Sequence, residues 1–258
     1  MPLGVRTFFG GTTHYRTDRG AYAVDEGTWF VVNHQQPYTI NFDSRTLIRS
    51  CVVFFPDGWA EDVAQNFTAT PTTLLDQPDQ HAAPVHFFET VRSGDDRVMP
   101  RMRALHAACR DHPVEDGWLE EQLRALLADM LLSQREHLRA AAALPALRAA
   151  TRHELYRRLC RGRDYLRATA EHAPSLADAA RIACLSPFHF QRSFRAVFRV
   201  SPHEFVTGCR LDRARQLITD SPLPITEIAP AAGYESFGAF SRAFKLRFGA
   251  PPSHFRKN

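Results

Sequence analysis

The chain has 258 residues, of which 44% are hydrophobic and 23% charged, with 13 Gly and 17 Pro. That composition buries a real core and excludes disordered and collagen-like classes, and the length predicts two domains of roughly 100–200 residues each. The formal charge of +4 hides an asymmetry, because residues 1–153 carry 15 Lys and Arg against 19 Asp and Glu while residues 154–258 carry 17 against 9. An acidic half joined to an Arg-rich half points to nucleic acid as the partner of the second, with a solvated basic surface as the bland alternative.

The opening Met1-Pro2-Leu3-Gly4-Val5-Arg6 lacks the apolar region of a signal peptide, and the longest apolar stretch, Ala140 to Leu147, is broken by Pro145. Neither a signal peptide nor a membrane span is expected. Between Tyr22 and Glu89 the apolar residues form short β-branched and aromatic runs: Trp29-Phe30-Val31-Val32, the alternation Tyr38/Ile40/Phe42, Leu47-Ile48, and Cys51-Val52-Val53-Phe54-Phe55. Period-two alternation predicts antiparallel strands in a small sandwich or barrel. Asp57-Gly58 closes one run, a short helix is expected from Trp59, and Thr70 to Pro84 reads as loop.

From Val98 the period becomes helical, with Met102, Leu105 and Cys109 on one face and Leu119, Leu123, Leu126, Met130 and Leu131 on a second helix. The alternating spacing of four and three makes that second helix either a seam for a partner subunit or a support of its own domain. The Ala-rich stretch around Pro145 is the candidate linker, and Thr151-x-x-Glu154 resembles a capping box opening the next helix. The five cysteines, Cys51, Cys109, Cys160, Cys184 and Cys209, lack any C-x-x-C pair. A disulfide framework or zinc knuckle is not expected, and a reducing cytoplasm fits.

The basic half contains an internal duplication. Phe190, Phe194, Phe198, Pro202 and Phe205 recur fifty positions later as Phe240, Phe244, Phe248, Pro252 and Phe255, while Ala180-x-x-Ala183-Cys184-Leu185 matches Ala229-x-x-Ala232-Gly233-Tyr234 at an offset of forty-nine. Each copy therefore reads as a short helix, a tight turn and a longer helix, with one extra residue in the second turn. Ser186-Pro187 opens the first long helix. Projection puts Phe190, Phe194, Val197 and Phe198 on one face and Phe188, Gln191, Arg192, Arg195 and Arg199 on the other. In the second copy Phe240, Phe244 and Phe248 form the inner stripe, and Gly238, Ser241, Arg242 and Lys245 point outward. The aromatic stripes are core; the outward Gln, Arg and Lys side chains suit base edges and phosphates. Between the copies, Ser201-Pro202-x-Glu204 starts a segment reaching about Thr219, a rod of roughly 25 Å that would hold two reading heads about 34 Å, or one DNA turn, apart.

Residues from about 154 to 256 resemble the DNA-binding domain of the AraC/XylS family of bacterial transcription regulators. The strongest match is Ile228-Ala229-x-x-Ala232-Gly233-Tyr234-x-Ser236-x-x-x-Phe240-Ser241-Arg242-Ala243-Phe244-Lys245-x-x-Phe248-Gly249-x-x-Pro252-x-x-Phe255-Arg256. The resemblance implies an all-α unit with two helix-turn-helix motifs, whose recognition helices correspond to roughly 187–198 and 236–247. It carries Phe188, His189, Gln191, Arg192 and Arg195 to the DNA face of the first, and Ser236, Phe237, Gly238, Ser241, Arg242 and Lys245 to that of the second. Three departures stand out. Cys184 occupies a turn position where the family has Gly, Pro230 falls inside the short helix before the second turn, and projection puts Phe237 nearer the core stripe than the groove.

The resemblance further implies an α+β chain in which residues 1–140 form a small cupin-like β-barrel with helices serving sensing and dimerisation, 141–153 a linker, and 154–258 the double helix-turn-helix domain. It implies double-stranded operator DNA, a homodimer partner, RNA polymerase and a small-molecule effector as partners, with no cofactor, no catalytic residue and no membrane. Trp29, His34, Tyr38, Phe42 and Phe54 are candidate effector-pocket residues, with core packing as their alternative. The rival of another class is a cupin-type metalloenzyme fused to a DNA-binding domain. Against it, no two of the 12 His are separated by one residue, no H-E-x-x-H or G-x-S-x-G occurs, and acidic residues do not cluster around His34, His81 or His86. The remaining alternatives are a regulator without an effector and a non-specific architectural DNA binder.

Overall fold

The structure is a computed structural model that describes residues 1–42, 47–68, 84–93, 97–111, 113–144 and 148–256. Residues 70–83 of the expected loop Thr70 to Pro84, with His81, and Pro145 lie outside the described residues. The chain divides into two compact units, one of residues 1–19 and 23–143 and one of residues 144–258 with 20–22. Among the described residues no helix is long and apolar enough to cross a membrane.

In the first unit, strands β1 (Gly4–Phe9), β4 (Thr28–Val32), β6 (Arg49–Phe54) and β7 (Arg92–Ser93) form one sheet in the order β6-β1-β4-β7. Strands β2 (Thr13–Thr17), β3 (Gly20–Val24) and β5 (Thr39–Phe42) form a second, ordered β3-β2-β5. The registered pairs are antiparallel, with Val5 opposite Val31 and Val53, and Tyr15 opposite Ile40. Antiparallel sheets are therefore present as expected, and among the described residues they form two separate sheets rather than one closed barrel.

Strand parity decides what each run buries, because successive side chains point to opposite faces. Val5, Phe9, Trp29, Val31, Cys51 and Phe55 share a core with three helices. These are α1 (Trp59–Thr68), α2 (Val98–Asp111) and α3 (Asp116–Ala142). They contribute Ala60 and Val63, then Val98, Met99, Met102 and Leu105, then Leu126, Leu127, Met130 and Leu131. Each fully buried Leu, Met or Phe here stabilises the unit by about 1.5–3 kcal/mol. The α3 leucines resolve the earlier alternative: Leu126 and Met130 are fully buried, and Leu119 and Leu123 pack against the same core. That stripe supports its own domain.

Other expectations need correction. Leu47-Ile48 is not a strand, and β1 and β2 lie before Tyr22, where none was expected. All six residues of β1 are buried, so the strand shows no inside-outside alternation. Thr151-x-x-Glu154 does not cap a helix either, because α4 (Ala149–Ala168) starts two residues before Thr151 with Arg148 as its N-cap and no side-chain cap bond. The Ala pair at its start has high helix propensity and extends the helix past the predicted boundary.

The second unit is helical: α4, a 3-10 turn (Ala170–His172), α5 (Leu176–Ile182), α6 (Pro187–Phe198), α7 (Pro202–Asp220), α8 (Ile225–Ala231), α9 (Phe237–Phe248) and a last 3-10 turn (Pro252–Phe255). Two cores lie along it. Leu159, Leu166, Ala179, Ala180, Phe190, Phe194 and Val206 form the first; Leu211, Ala214, Ile218, Ile228, Phe240 and Phe244 form the second. Helix α7 enters both, giving Val206 to one and Leu211, Ala214 and Ile218 to the other. At 19 residues it is a rod of about 28 Å. Its start is fixed as the sequence suggests: Pro202 occupies the first turn, and Ser201 and Glu204 form a reciprocal capping box. The Ser201 amide and hydroxyl hold the Glu204 carboxyl below its ordinary range.

Candidate nucleic-acid interface

The duplicated segments fold into two matching helix-turn-helix pairs, α5–α6 and α8–α9. In the first turn Cys184 N–H donates to the Arg181 carbonyl at 3.0 Å and Leu185 N–H to the Ala180 carbonyl at 2.9 Å. In the second, Gly233 N–H donates to the Pro230 carbonyl at 2.9 Å and Tyr234 N–H to the Ala229 carbonyl at 3.0 Å. Both are Schellman turns, in which the first residue past the C-cap takes a left-handed backbone and satisfies a helix-end carbonyl. Cys184 indeed adopts φ +52 where the second copy has Gly233 at φ +82. Pro230 lies within α8 without ending it, and its carbonyl still serves the turn. The extra residue of the second copy is Glu235, between Tyr234 and Ser236.

The aromatic ladders repeat in distance as well as in spacing. Ring centroids of Phe190 and Phe194 stand 5.4 Å apart and those of Phe240 and Phe244 5.5 Å; Phe194–Phe198 and Phe244–Phe248 are both 4.6 Å. Phe205 and Phe255 close the two ladders on Phe194 and Phe244 at 5.7 and 5.4 Å. These tilted and edge-on rings fix the rotation of α6 and α9 about their axes, and so fix which residues face outward.

On α6, Phe188, His189, Gln191, Arg192 and Arg195 are all exposed, Phe188 at 76%. Phe188, Gln191, Arg192, Arg195 and Arg199 line one shallow concavity. Ser186 accepts a hydrogen bond from the His189 N–H at 3.3 Å and caps the helix. At the N-cap of α9 Ser236 is exposed, and on the helix Phe237, Gly238, Arg242 and Lys245 are exposed and Ser241 is half-buried. Ser236 makes no side-chain cap bond. Phe237 is both outward and core-adjacent: half-exposed, with its ring 6.1 Å from that of Phe240.

Braces that sequence patterning does not reveal hold the two pairs on α7. Arg247 of α9 binds Asp212 of α7 with both carboxylate oxygens, the closest contact being 2.8 Å. Arg210 Nε donates to the Ala170 carbonyl at 2.7 Å, and Arg256 donates to the Ser221 carbonyl at 2.7 Å. Arg215 lies 5.2 and 5.4 Å from the Phe248 and Phe255 ring centres. The Arg247–Asp212 pair is exposed, so it orients α9 more than it stabilises the fold. The arginines of the basic half thus divide into braces and outward groups.

The C-caps give a direct test of the duplication. Arg199 ends α6 at φ +63 where Gly249 ends α9 at φ +78. A left-handed backbone costs a non-glycine residue about 1–2 kcal/mol, partly offset by glycine's larger unfolded-state entropy. Arg199→Gly is therefore expected to stabilise the protein by up to about 1 kcal/mol and Gly249→Ala to destabilise it by about as much. Urea titration of both variants checks this pair of opposite signs.

The candidate effector-pocket residues divide. Phe42 and Phe54 lie on edge strands, both largely exposed, with their rings beside Phe8 and Arg6 respectively, and Tyr38 just precedes β5 with its ring 4.8 Å from Arg6, whereas Trp29 sits on the opposite face of its sheet with Arg92 4.7 Å from its ring centre. His34 is exposed and stands 3.3 Å from Asp57. Trp29 and His34 thus do not join the others. The unalternated run Trp29–Val32 hides which parity faces the helices. Among the described residues no group of His, Cys, Asp and Glu could hold a metal ion.

Comparison with known proteins places the same segment. Residues 179–258 match the model described as a helix-turn-helix domain. The probable transcriptional regulator LumQ of Photobacterium leiognathi is 29% identical over 93 residues, 36% of this chain and 38% of that protein. The RCS-specific HTH-type transcriptional activator RclR of Escherichia coli is 35% identical over 86 residues, 33% of this chain and 30% of that protein. The chain therefore spans well under half the length of these curated relatives. A solved transcriptional regulator from Chromobacterium violaceum, described as containing an AraC-type DNA-binding domain, is 27% identical with a TM-score of 0.37, covering 38% of this chain and 88% of that one.

Proposed function

Residues 179–258 form a helix-turn-helix domain of the AraC/XylS type, and from that premise we propose that the protein is a sequence-specific transcription regulator that reads double-stranded operator DNA through α6 and α9. The observation that carries the reading is the pairing of two equivalent turn geometries with two exposed, cation-bearing helix faces on one brace. In this reading Gln191, Arg192 and Arg195 of α6 and Arg242 of α9 reach base edges, because Arg and Gln fork onto guanine and adenine. His189, Ser236, Ser241, Lys245 and the amide of Gly238 hold phosphates, and Phe188 and Phe237 offer apolar contact to thymine methyl groups. The first unit acts as a cupin-like sensor and homodimerisation module, with an effector between its sheets changing how the DNA-binding unit is presented. The protein works in the cytoplasm, with RNA polymerase as its downstream partner and no chemical reaction of its own.

Selection of bound sites from random duplexes, run in parallel on the native protein and Arg192→Ala, tests the reading. The variant is expected to lose about 1–3 kcal/mol at particular base pairs and to select a motif relaxed only there. An equal loss on every duplex would show that Arg192 touches phosphate alone.

A further inference from the structure

The N-terminal strands bury a positive charge that the described fold leaves unanswered. Arg6, in the middle of β1, is 1% exposed, and none of the ion pairs among the described residues involves it. Its guanidinium donates two long hydrogen bonds, Nη1 to the Gly4 carbonyl and Nη2 to the Tyr38 hydroxyl, both at 3.3 Å. Three rings stand close to it, with Tyr38, Phe54 and Tyr15 centred 4.8, 5.5 and 5.8 Å away. Cation–π contacts offset part of the desolvation. Arginine cannot shed its proton, however, and a charge taken out of water without a counter-ion is costly. Tyr15 supplies no counter-charge, because burial pushes its phenol further above the ordinary range despite the Arg6 charge.

Strand register explains the grouping. Arg6 stands opposite Val52 and Gly4 opposite Phe54 on the β1–β6 pair. A Cβ on Gly4 would lie 3.0 Å from the Phe54 ring, so glycine lets that ring lie across the strand toward Arg6. On the other sheet Thr13 and Tyr15 share a face, opposite Phe42 and Ile40. Strands β5 and β6 are the edges of their sheets, and Phe42 and Phe54 remain 61% and 49% exposed. Exposed apolar rings thus adjoin a buried cation, with Phe54 5.5 Å from it. The Thr13 hydroxyl, about 6.6 Å along β2 from Tyr15, is buried on that same face with no hydrogen-bond partner among the described residues.

We propose that this face between β5 and β6 is the effector site and that its occupant is a small aromatic carboxylate, forked by Arg6 and stacked against Tyr15, Tyr38 and Phe54. The proposal rests on the reading of the first unit as a sensor. A carboxylate supplies what Arg6 lacks, a counter-charge and two parallel acceptors, and an aromatic body covers the exposed rings.

The test measures binding and melting of the full chain with benzoate, salicylate and phenylacetate, each beside its neutral amide. At least one acid is expected to bind saturably and at least about tenfold more tightly than its amide. Arg6→Met removes the charge and keeps the stem, so it is expected to fold and to lose the preference for the acid; Arg6→Lys, without the fork, loses most of it. Phe54→Ala, at an exposed ring, is expected to weaken acid and amide alike, and carries the test if Arg6→Met fails to fold. Equal binding of every acid and its amide, no binding of any acid, or acid binding that survives Arg6→Met would overturn the proposal. DNA affinity separates the two claims. Acid binding through Arg6 that leaves DNA affinity unchanged upholds the site and refutes the sensor, whereas an acid that alters DNA affinity independently of Arg6 upholds the sensor and refutes the site.

Discussion

Phe244→Ala is expected to destabilise the protein by about 3–5 kcal/mol, through loss of transfer free energy together with the cavity left behind. Phe244 is completely buried, and its ring is the hub of the second ladder, 5.5 Å from Phe240, 4.6 Å from Phe248 and 5.4 Å from Phe255. The three remaining rings, held from α9 and the last 3-10 turn, cannot collapse into the vacated volume without moving backbone. Typical domains are stable by only about 5–15 kcal/mol, so the C-terminal half would lie near its unfolding limit. Phe194 holds the same place in the first ladder, and Phe194→Ala should cost about as much. Denaturant unfolding of the two variants measures this; unchanged stability in either would contradict the assignment of the stripes to the core.

Gly162→Ala is expected to destabilise by about 1–3 kcal/mol, the usual cost of overpacking, although helix propensity alone favours Ala over Gly by about 1 kcal/mol. The opposition of signs makes the substitution informative. Gly162 lies inside α4, and a Cβ there would stand 2.4 and 2.8 Å from two atoms of the Phe190 ring and 3.1 Å from the Ala179 carbonyl. Phe190 anchors α6, so the missing side chain of α4 lets the first recognition helix seat against its support. Phe190→Leu in the Gly162→Ala background should recover part of the loss. Thermal melts of the single and double variants decide between overpacking and propensity, and a gain from Gly162→Ala would show that Phe190 has room to move.

A sequence shows its fold where pattern and packing coincide. The fifty-residue recurrence of Phe190, Phe194 and Phe198 was readable because residues spaced by four share one face of a helix, and burial of Phe190, Phe194, Phe240 and Phe244 is what that spacing requires. Ser201 and Glu204 announced the start of α7 because both capping groups are local in sequence. Thr151 and Glu154 have the same local spacing, yet the preceding alanines carry the helix past them. Strand β1 was hidden because both of its faces are covered, and Arg6 reads as a surface residue until its rings are placed around it. The parity of Trp29 depends on α1, α2 and α3 covering one face of its sheet, a non-local fact. Outward groups such as Arg192 and braces such as Arg247 are alike in composition, and only the Asp212 carboxylate distinguishes the second.

Competition between a selected duplex and its scrambled counterpart at one fixed salt concentration tests most directly whether α6 and α9 read sequence. Both duplexes should lose affinity steeply as salt rises, because phosphate contacts release counterions from any DNA. The predicted result is a preference of about 10³–10⁷ for the selected duplex, with protection on one face in two major grooves about one helical turn apart. A preference near unity, with the same salt dependence on both duplexes, would contradict it.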